Sequence, residues 1–181
     1  MNWLKEEAEM GDGQTKKSGK WDTAVALFHK GQRLKEQGDY GGAVTAYTEA
    51  LALVNTANTH NQRGLAYKKM GDYENAIDDF TQAIFLKEID AGPEEIAGSY
   101  INRGMAYFET EQNDKAIADA EEAIKRGCYL GRAYNLRGIV YDDMGKFQQA
   151  IEDYKKAIAH GSTEAKENLR ELEQYLGDNG R

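Results

Sequence analysis

Histidine, cysteine and paired carboxylates are the side chains in this sequence that could perform catalysis or bind a metal. The three histidines and the single cysteine lie far apart, at His29, His60, His160 and Cys128. They do not recur at the spacings that metal ligands require. Adjacent acidic residues such as Asp78 and Asp79 point about 100° apart on a helix, so they do not converge on a substrate. We therefore predict no catalytic residues, no metal site and no enzymatic activity.

A polar, glycine-rich segment at residues 11–20, GDGQTKKSGK, comes nearest to a phosphate-binding loop. Such a loop follows the pattern G-x-x-x-x-G-K-[ST] after an apolar strand. Here five residues separate Gly13 from Gly19, Trp21 stands where the hydroxyl is needed, and no apolar strand precedes the segment. We predict no cofactor and interpret the segment as a flexible linker. A nucleotide-binding or enzymatic role for it is kept only as a third alternative.

The charge of the chain argues against nucleic acid as a partner. The 181 residues include 31 acidic and 23 basic side chains, giving a formal net charge of −8, whereas proteins that bind phosphate backbones present basic surface. No segment approaches the roughly 18 apolar residues of a membrane span, and the N-terminus lacks the pattern of a signal peptide. We expect no nucleic-acid partner, no membrane association and a cytoplasmic location, with which a lone cysteine is compatible.

Four copies of one sequence pattern organise the chain. Each is similar to the segment RGLAYKKMGDYENAIDDFTQAI at residues 63–84, which has a glycine at its second position. The four glycines are separated by 33, 40 and 34 residues, at Gly31, Gly64, Gly104 and Gly138. This period is typical of a helix-turn-helix unit, which buries its apolar face only when neighbouring units stack. The sequence therefore predicts an all-α solenoid.

Small and aromatic residues at fixed places after each glycine give a resemblance to a known family. The small residues are Ala43, Ala76, Ala116 and Ala150, followed by Ala50, Ala83, Ala123 and Ala157. The aromatic residues are Tyr67, Tyr107 and Tyr141 in the first helix and Tyr47, Phe80 and Tyr154 in the second. In these positions residues 24–161 resemble the tetratricopeptide repeat (TPR) family, although Leu34, Ala120 and Glu111 depart from its pattern. The resemblance implies a right-handed α-α superhelix whose first helices line a concave, peptide-binding groove.

The repeats divide the chain into an arm, a domain and a tail. We predict residues 1–21 as an N-terminal arm and flexible linker, and residues 22–176 as the TPR domain. The four repeats are expected at about residues 24–56, 57–96, 97–130 and 131–162, followed by a capping helix at 163–176 and a frayed tail at 177–181. The longer second interval contains Pro93, which predicts the start of a helix.

Arginine and aspartate recur 16 residues apart in three of the repeats. The pairs are Arg63 with Asp79, Arg103 with Asp119, and Arg137 with Asp153, whereas repeat one has Lys30 and Ala46 at these places. We interpret each pair as an ion pair within its repeat rather than as part of a binding site. If partly exposed, each contributes at most about 1 kcal/mol.

The TPR resemblance places the partner-binding groove on one side of the first helices. Carried over by position, the expected groove residues are Phe28, Gln32, Lys35, Asn58, Asn61, Gln62, Leu65, Lys68, Lys69, Ile101, Asn102, Met105, Phe108, Arg132, Asn135, Ile139 and Asp142. The row Leu65, Met105 and Ile139 is apolar, which suits an amphipathic segment, and the flanking amides suit a peptide backbone.

Two readings of this surface remain open at the level of sequence. The first is a non-catalytic protein–protein interaction scaffold that binds a peptide or an amphipathic helix of another protein. The alternative is self-association, as a homo-oligomer through the groove or the N-terminal arm. Against partner binding also stands the reading that the chain covers its own apolar row, with Trp3 and Leu4 of the arm folded into the groove or with two copies associated. A clamp for a terminal carboxylate, known in some TPR co-chaperones, is not expected, because Leu65 and Leu136 replace two of its polar and basic groups.

Overall fold

The computed structural model consists of helices joined by short turns. It describes residues 3–90 and 93–179, and side chains within residues 19–86 and 96–178. Within these ranges the helices are α1 (Trp3–Glu36), α2 (Tyr40–Leu53), α3 (Ala57–Lys69), α4 (Tyr73–Asp90), α5 (Pro93–Glu109), α6 (Asn113–Lys125), α7 (Leu130–Asp143), α8 (Phe147–Ala159) and α9 (Glu164–Asn179). The predicted all-α fold is confirmed. None of the described helices is long and apolar enough to cross a membrane.

Consecutive helices pack in pairs, and each pair packs on the next. The pairs are α1 with α2, α3 with α4, α5 with α6, and α7 with α8, while α9 packs against α8 and α7. Each helix also contacts the next one along the chain, so the pairs form a row rather than a closed bundle. This arrangement of four repeats and an end cap is the expected solenoid, in which each unit contacts only its neighbours.

The turn inside each repeat contains one residue with a left-handed backbone conformation. Gly38, Gly71 and Gly145 have φ of 82°, 78° and 70° in repeats one, two and four. Repeat three places Glu111 there with φ of 59°, a conformation that costs free energy for any residue with a Cβ. The backbone turn is therefore retained where its glycine is missing, because the helices on both sides fix it.

The anchor glycines lie where two helices approach closely. A Cβ on Gly138 would stand 2.8 Å from the ring of Tyr154 in the same repeat. In repeat three, where Ala120 replaces the aromatic residue, a Cβ on Gly104 would instead meet Leu136 of the next repeat at 2.8 Å. Leu136 is 1% exposed, so it fills the space that an aromatic ring occupies elsewhere. The departure at Ala120 is thus compensated by the following repeat.

The N-terminal part of the chain differs from the expectation. α1 begins at Trp3 and continues through residues 11–20, so the predicted flexible linker is replaced by helix. Glycine weakens a helix by about 1 kcal/mol and proline by about 3 kcal/mol, and this segment contains no proline. At the other end, α9 runs to Asn179, beyond the predicted end of the capping helix. The first two and last two residues of the predicted arm and tail lie outside the described residues.

One predicted helix start agrees with the structure, at Pro93, and the capping helix α9 begins at Glu164, one residue after its predicted start. α5 begins at Pro93, and α4 extends to Asp90, so the additional residues between repeats two and three lengthen both helices. Ser162 precedes α9, and its Oγ accepts a hydrogen bond from the backbone N–H of Ala165 at 3.2 Å. This bond satisfies one of the free N–H groups at the start of the capping helix.

Candidate protein-binding groove

The first helices of the repeats form one continuous face of the solenoid. α1, α3, α5 and α7 are neighbours in that order, and α9 continues the row beside α7. Because the two helices of each repeat are joined by a tight turn, every first helix returns to the same side of the row. We call the surface formed by α1, α3, α5, α7 and α9 the groove face.

All predicted groove residues lie on these first helices, but they differ in exposure. Asn58, Lys69 and Arg132 are exposed, and most of the others are half-buried. Ile101 is only 2% exposed and Asn102 only 8%. Ile101 belongs to the hydrophobic core shared by repeats two, three and four, so the structure corrects its expected place on the binding surface. Its side chain holds the repeats together instead.

Polar side chains of the groove face bond to one another across repeat boundaries. The ammonium of Lys35 donates to Oε1 of Gln62, which joins repeat one to repeat two. Asn102 Nδ2 donates to Asn61 Oδ1 at 3.3 Å, and Arg132 Nη2 donates to Asn102 Oδ1 at 3.4 Å. The amides expected to bind a peptide backbone are thus partly engaged within the chain. They fix the spacing of successive first helices.

The same kind of bond joins repeat four to the cap. Asn168 Nδ2 on α9 donates to Asn135 Oδ1 on α7 at 3.0 Å. Each amide still has hydrogen-bonding capacity, because an asparagine side chain carries two N–H groups and an oxygen with two lone pairs. A peptide backbone could therefore form further hydrogen bonds with these asparagines without breaking the bonds between repeats. We call this set of side-chain hydrogen bonds the polar ladder.

The apolar row is partly covered by the chain itself. Leu65 packs on the cluster around Phe80, Met105 on the large central cluster, and Ile139 on the cluster around Tyr154. All three side chains are half-buried rather than buried. Repeats two, three and four thus each leave part of an apolar side chain of this row open to the groove face, and Phe108 adds a second one in repeat three. Apolar surface of this kind is expected where a protein makes contacts.

Cations crowd together near the middle of the groove face. Burial lowers the pKa of Lys68, and the nearby positive charges of Arg132 and Lys69 lower it further, whereas Glu109 acts in the opposite direction. Burial also lowers the pKa of Lys35. Repulsion between like charges disfavours this arrangement in the free protein. The middle of the groove face is therefore electropositive.

Carboxylates crowd together at the C-terminal end of the same face. A cleft of about 400 Å³ is lined there by Phe108, Ile139, Asp142, Asp143, Tyr154, Asn168 and Glu171. Burial raises the pKa of Asp142, which accepts a hydrogen bond from the Tyr154 hydroxyl at 3.3 Å. The groove face thus changes from positive to negative along its length, and its negative end has an apolar floor.

Comparison with known proteins agrees with this architecture. Family models described as tetratricopeptide repeat match residues 57–88, 131–161 and 97–126, and one described as TPR repeat matches residues 31–71. Together these matches include all four anchor glycines and both helices of most repeats. The chain belongs to the tetratricopeptide repeat family.

Individual relatives cover different shares of this TPR chain. Small glutamine-rich tetratricopeptide repeat-containing protein 2 of Mycosarcoma maydis is 36% identical over 59 residues, which are 33% of this chain and only 17% of that protein. A crystal structure of MamA is 28% identical with a TM-score of 0.67, over 81% of this chain and 84% of that one. The second TPR of Spaghetti (RPAP3), bound to the HSP90 peptide SRMEEVD, is 26% identical with a TM-score of 0.54, over 61% of this chain and 96% of that one.

The histidines and the cysteine of the TPR chain are not brought together. His60 is 9% exposed and bonds Asp79 through Nδ1 at 2.8 Å and Asn55 through Nε2 at 2.8 Å. The Cys128 thiol donates to the carbonyl of Arg126 at 3.5 Å. Within the described residues, no group of three or more His, Cys, Asp or Glu side chains is placed to hold a metal ion.

Sequence reasoning missed the part of the TPR surface that comes from the turn of repeat four and from the cap. Asp143, Phe147 and Glu171 adjoin the predicted Asp142. Phe147 and Glu171 stand outside the positions that the family uses for its groove, whereas Asp143 has the place in repeat four that Lys69 has in repeat two. A signal for Glu171 was available, because Leu169, Leu172 and Leu176 predict which side of the cap helix packs inward. Residues just beside that stripe, such as Asn168 and Glu171, must then border the groove face.

Proposed function

We propose that this chain is a non-catalytic interaction scaffold that binds a peptide or helical segment of a partner protein along the groove face. The observation that carries the proposal is the row Leu65, Met105 and Ile139, one half-exposed apolar side chain in each of three successive repeats. Such a row can receive the apolar side chains of an extended or helical segment. The asparagine side chains of the polar ladder beside the row have further donors and acceptors that can bond the backbone of that segment.

The relatives support this proposal in two ways, because they have a similar fold and one of them is bound to a peptide. The RPAP3 domain is bound to a peptide in its structure, so a TPR unit of this size can act as a peptide receptor. The sequence reading against a carboxylate clamp is consistent with the position of Leu136, which is 1% exposed and packs in the core. The proposed ligand is therefore an internal segment with apolar side chains rather than an acidic chain end.

A selection experiment with a matched pair of variants tests the proposal. Short random peptides displayed on phage are selected on the whole chain, and the dissociation constants of the selected peptides are measured by fluorescence anisotropy. Leu65→Asp is expected to weaken binding roughly tenfold or more, because it places a charge in the apolar row. Leu51→Asp is the control, since Leu51 is also half-buried but lies on α2, behind the groove face. Both variants are first checked for folding by circular dichroism.

The outcome separates binding on the groove face from binding elsewhere. If the selected peptides bind Leu65→Asp as tightly as the unchanged chain, the groove face is not their site and the proposal fails. Equal losses for Leu65→Asp and Leu51→Asp would mean that both variants act through stability. A loss confined to Leu65→Asp supports the proposal.

A second candidate function, self-association, is favoured by the exposed apolar side chains of α1. Trp21 is 53% exposed and Val25 is 37% exposed, and both lie on the same helix, α1. Large apolar side chains exposed close together often mark a place of contact with a second molecule. Light scattering over a range of concentrations should then give a mass above the 20.3 kDa monomer, and the double variant Trp21→Ser, Val25→Ser should restore that monomer.

A further inference from the structure

We propose that the C-terminal end of the groove face binds a basic segment of a partner protein, in which a Lys or Arg is flanked on both sides by apolar residues. This inference rests on the proposed function above and specifies the chemistry of its ligand. It is carried by two neighbouring clefts that share their carboxylates and by the lack of a salt bridge to any of these carboxylates among the described side chains, where Glu171 has only a longer-range interaction with Arg170.

The two clefts adjoin each other, because three residues line both of them. The first, of about 400 Å³, has Phe108 and Ile139 in its lining. The second, of about 430 Å³, has Phe147, Leu172 and Tyr175. Both are lined by the same three carboxylates, Asp142, Asp143 and Glu171, so the acidic residues lie between two apolar sites. We call this surface the acidic trough.

The three carboxylates of the acidic trough keep most of their hydrogen-bonding capacity. Asp142 accepts one bond from the Tyr154 hydroxyl at 3.3 Å, and Asp143 accepts one from Asn113 Nδ2 at 3.1 Å. Neither of these donors carries a charge. Among the residues whose side chains the structure describes, no Lys, Arg or His pairs with Asp142, Asp143 or Glu171. Because a carboxylate has about four acceptor positions, an entering guanidinium or ammonium would find free lone pairs.

The free trough is electrostatically unfavourable, and a cation would relieve it. Burial raises the pKa of Asp142, and the adjacent charge of Asp143 adds to this effect. Glu171 lies on the opposite wall, close enough to the Tyr154 hydroxyl to affect its pKa. An opposite charge placed among such groups stabilises their ionised forms, and an arginine can bond a carboxylate through two parallel hydrogen bonds.

The apolar sites at the two ends of the trough determine what must flank the cation. At one end, Phe108 and Ile139 are half-buried and still reach the cleft. At the other end, the rings of Phe147 and Tyr175 lie 5.9 Å apart, and Tyr175 is 54% exposed. A segment that crosses the trough therefore meets apolar surface, then negative charge, then aromatic surface, and it is matched by the order apolar, basic, apolar.

Other occupants fit the trough less well. An acidic peptide would be repelled by three carboxylates, and a metal ion lacks the convergent set of ligands, since no such group is found within the described residues. The chain itself contains one dense basic run, Lys16, Lys17 and Lys20, next to Trp21. A second copy that inserts this run would satisfy the same chemistry, and the experiment below treats that result as contrary to a partner segment.

The experiment compares three series of short peptides that differ only at the centre. Each peptide has leucine or phenylalanine on both sides of a central Arg-Lys, Gln-Gln or Glu-Glu pair, and its affinity for the whole chain is measured by fluorescence anisotropy. The Arg-Lys series is expected to bind roughly tenfold tighter than the Gln-Gln series, with an advantage that shrinks as salt is added. The Glu-Glu series should bind most weakly.

A neutralised variant and a matched control show whether the acidic trough causes the tighter binding of the Arg-Lys peptides. The triple variant Asp142→Asn, Asp143→Asn, Glu171→Gln preserves size and should remove the advantage of the Arg-Lys peptides. The control Glu49→Gln, Asp78→Asn, Asp114→Asn removes the same number of charges from exposed carboxylates on second helices and should leave the advantage intact. Equal behaviour of the two variants would show that overall charge is responsible, and the inference would be overturned.

The remaining outcomes distinguish this inference from the proposed function. If the peptides selected from the library depend on Leu65 but are indifferent to the triple variant, the groove face binds peptides and the basic preference is wrong. If Arg-Lys peptides depend on the trough while no peptide depends on Leu65, the trough is supported and binding along the whole groove face fails. A dimer that dissociates both in the triple variant and in Lys16→Gln, Lys17→Gln, Lys20→Gln would identify a second copy as the occupant and overturn the partner segment.

Discussion

Arg63 holds Asp79 through two parallel hydrogen bonds, from Nε to Oδ2 and from Nη2 to Oδ1, each 2.8 Å long. The same geometry joins Arg103 to Asp119 and Arg137 to Asp153 in the following repeats. The three ion pairs expected from the sequence are thus confirmed. The sequence-based value of at most about 1 kcal/mol assumed partial exposure. The aspartate side chains are only 3–7% exposed, so loss of one partner should cost more.

Removal of the buried carboxylate in repeat four is expected to destabilise the protein strongly. Asp153→Ala leaves the Arg137 guanidinium, 18% exposed, without its main partner. Breaking a buried pair in this way costs about 3 kcal/mol. Urea unfolding followed by circular dichroism measures the change, and Glu152→Ala is the control. The Glu152 side chain, one residue away, is 74% exposed and lies 3.8 Å from Lys156, so its loss should change stability by less than about 0.5 kcal/mol. Similar effects of the two variants would contradict the prediction.

His60 makes the ion pair of repeat two different from that of repeat three. It adds a third hydrogen bond to Asp79, whereas the equivalent position, four residues before the anchor glycine, holds Tyr100 in repeat three. Burial acts to raise the pKa of Asp79, but hydrogen bonds from Arg63 and His60 outweigh it and lower the pKa. Burial prevails at Asp119 and raises its pKa, because only Arg103 opposes it.

These opposite shifts give opposite dependences of stability on pH. The pKa of Asp79 is lower in the folded state, so its contribution is present above its unfolded pKa of about 3.9 and is lost as the pH falls through the folded value. The pKa of Asp119 is higher in the folded state, so its contribution is present below about pH 3.9 and is lost as the pH rises through the folded value. Carboxyl NMR titration should therefore show Asp119 titrating at higher pH than Asp79.

The variant His60→Tyr tests the cause of this difference, because it gives repeat two the residue that repeats three and four have at this position. The pKa of Asp79 is expected to rise towards that of Asp119, with Asp119 itself as the internal control. If Asp79 titrates at the same pH with and without the histidine, the third hydrogen bond is not what separates the two carboxylates.

The sequence predicted the parts of this structure that repeat. Arg63 and Asp79 lie 16 residues apart, as do their counterparts in repeats three and four, and a glycine follows the arginine each time. Such recurrence indicates a packing position whatever the local propensity. The burial of Ile101 was not foreseen, because repeats two and four have Asn61 and Asn135 at the same place, and both of these are only half-buried. The continuation of α1 through residues 11–20 was also missed. The glycines of this segment were expected to interrupt the helix, although a helix that contains no proline can tolerate them.

The candidate site was less predictable than the fold, because one of its three carboxylates comes from the cap, outside the repeats. Asp142 and Asp143 are the last two residues of α7, whereas Glu171 lies on the cap helix α9, so no alignment of repeats brings the three carboxylates together. The hydrogen bonds between Asn61 and Asn102 also depend on how one repeat rotates against the next. Spacing within a repeat sets which side a residue faces, whereas contacts between repeats require the three-dimensional arrangement.

Glycine to alanine substitutions should have opposite signs at two positions. At Gly138 an added Cβ would lie 2.8 Å from the ring of Tyr154, which is 1% exposed and cannot swing away, so Gly138→Ala should cost about 1–3 kcal/mol. At Gly19, on α1, an added Cβ meets nothing within 4 Å. Gly19→Ala should then stabilise the helix by about 0.5–1 kcal/mol. Thermal unfolding measures both, and a destabilising Gly19→Ala would argue against a helical backbone at that residue.

Damage to the cap should remain local, because each unit of a solenoid contacts only its neighbours. Leu172 on α9 is 2% exposed and packs in the cluster of Tyr154 and Ala165. Leu172→Ala is expected to cost about 2–4 kcal/mol, and the loss should fall mainly on α8 and α9. Hydrogen exchange measured by mass spectrometry should show faster exchange in these helices and little change in α2, at the other end of the row. Equal loss of protection in α2 and α8 would mean that the repeats unfold as a single cooperative unit, contrary to nearest-neighbour coupling.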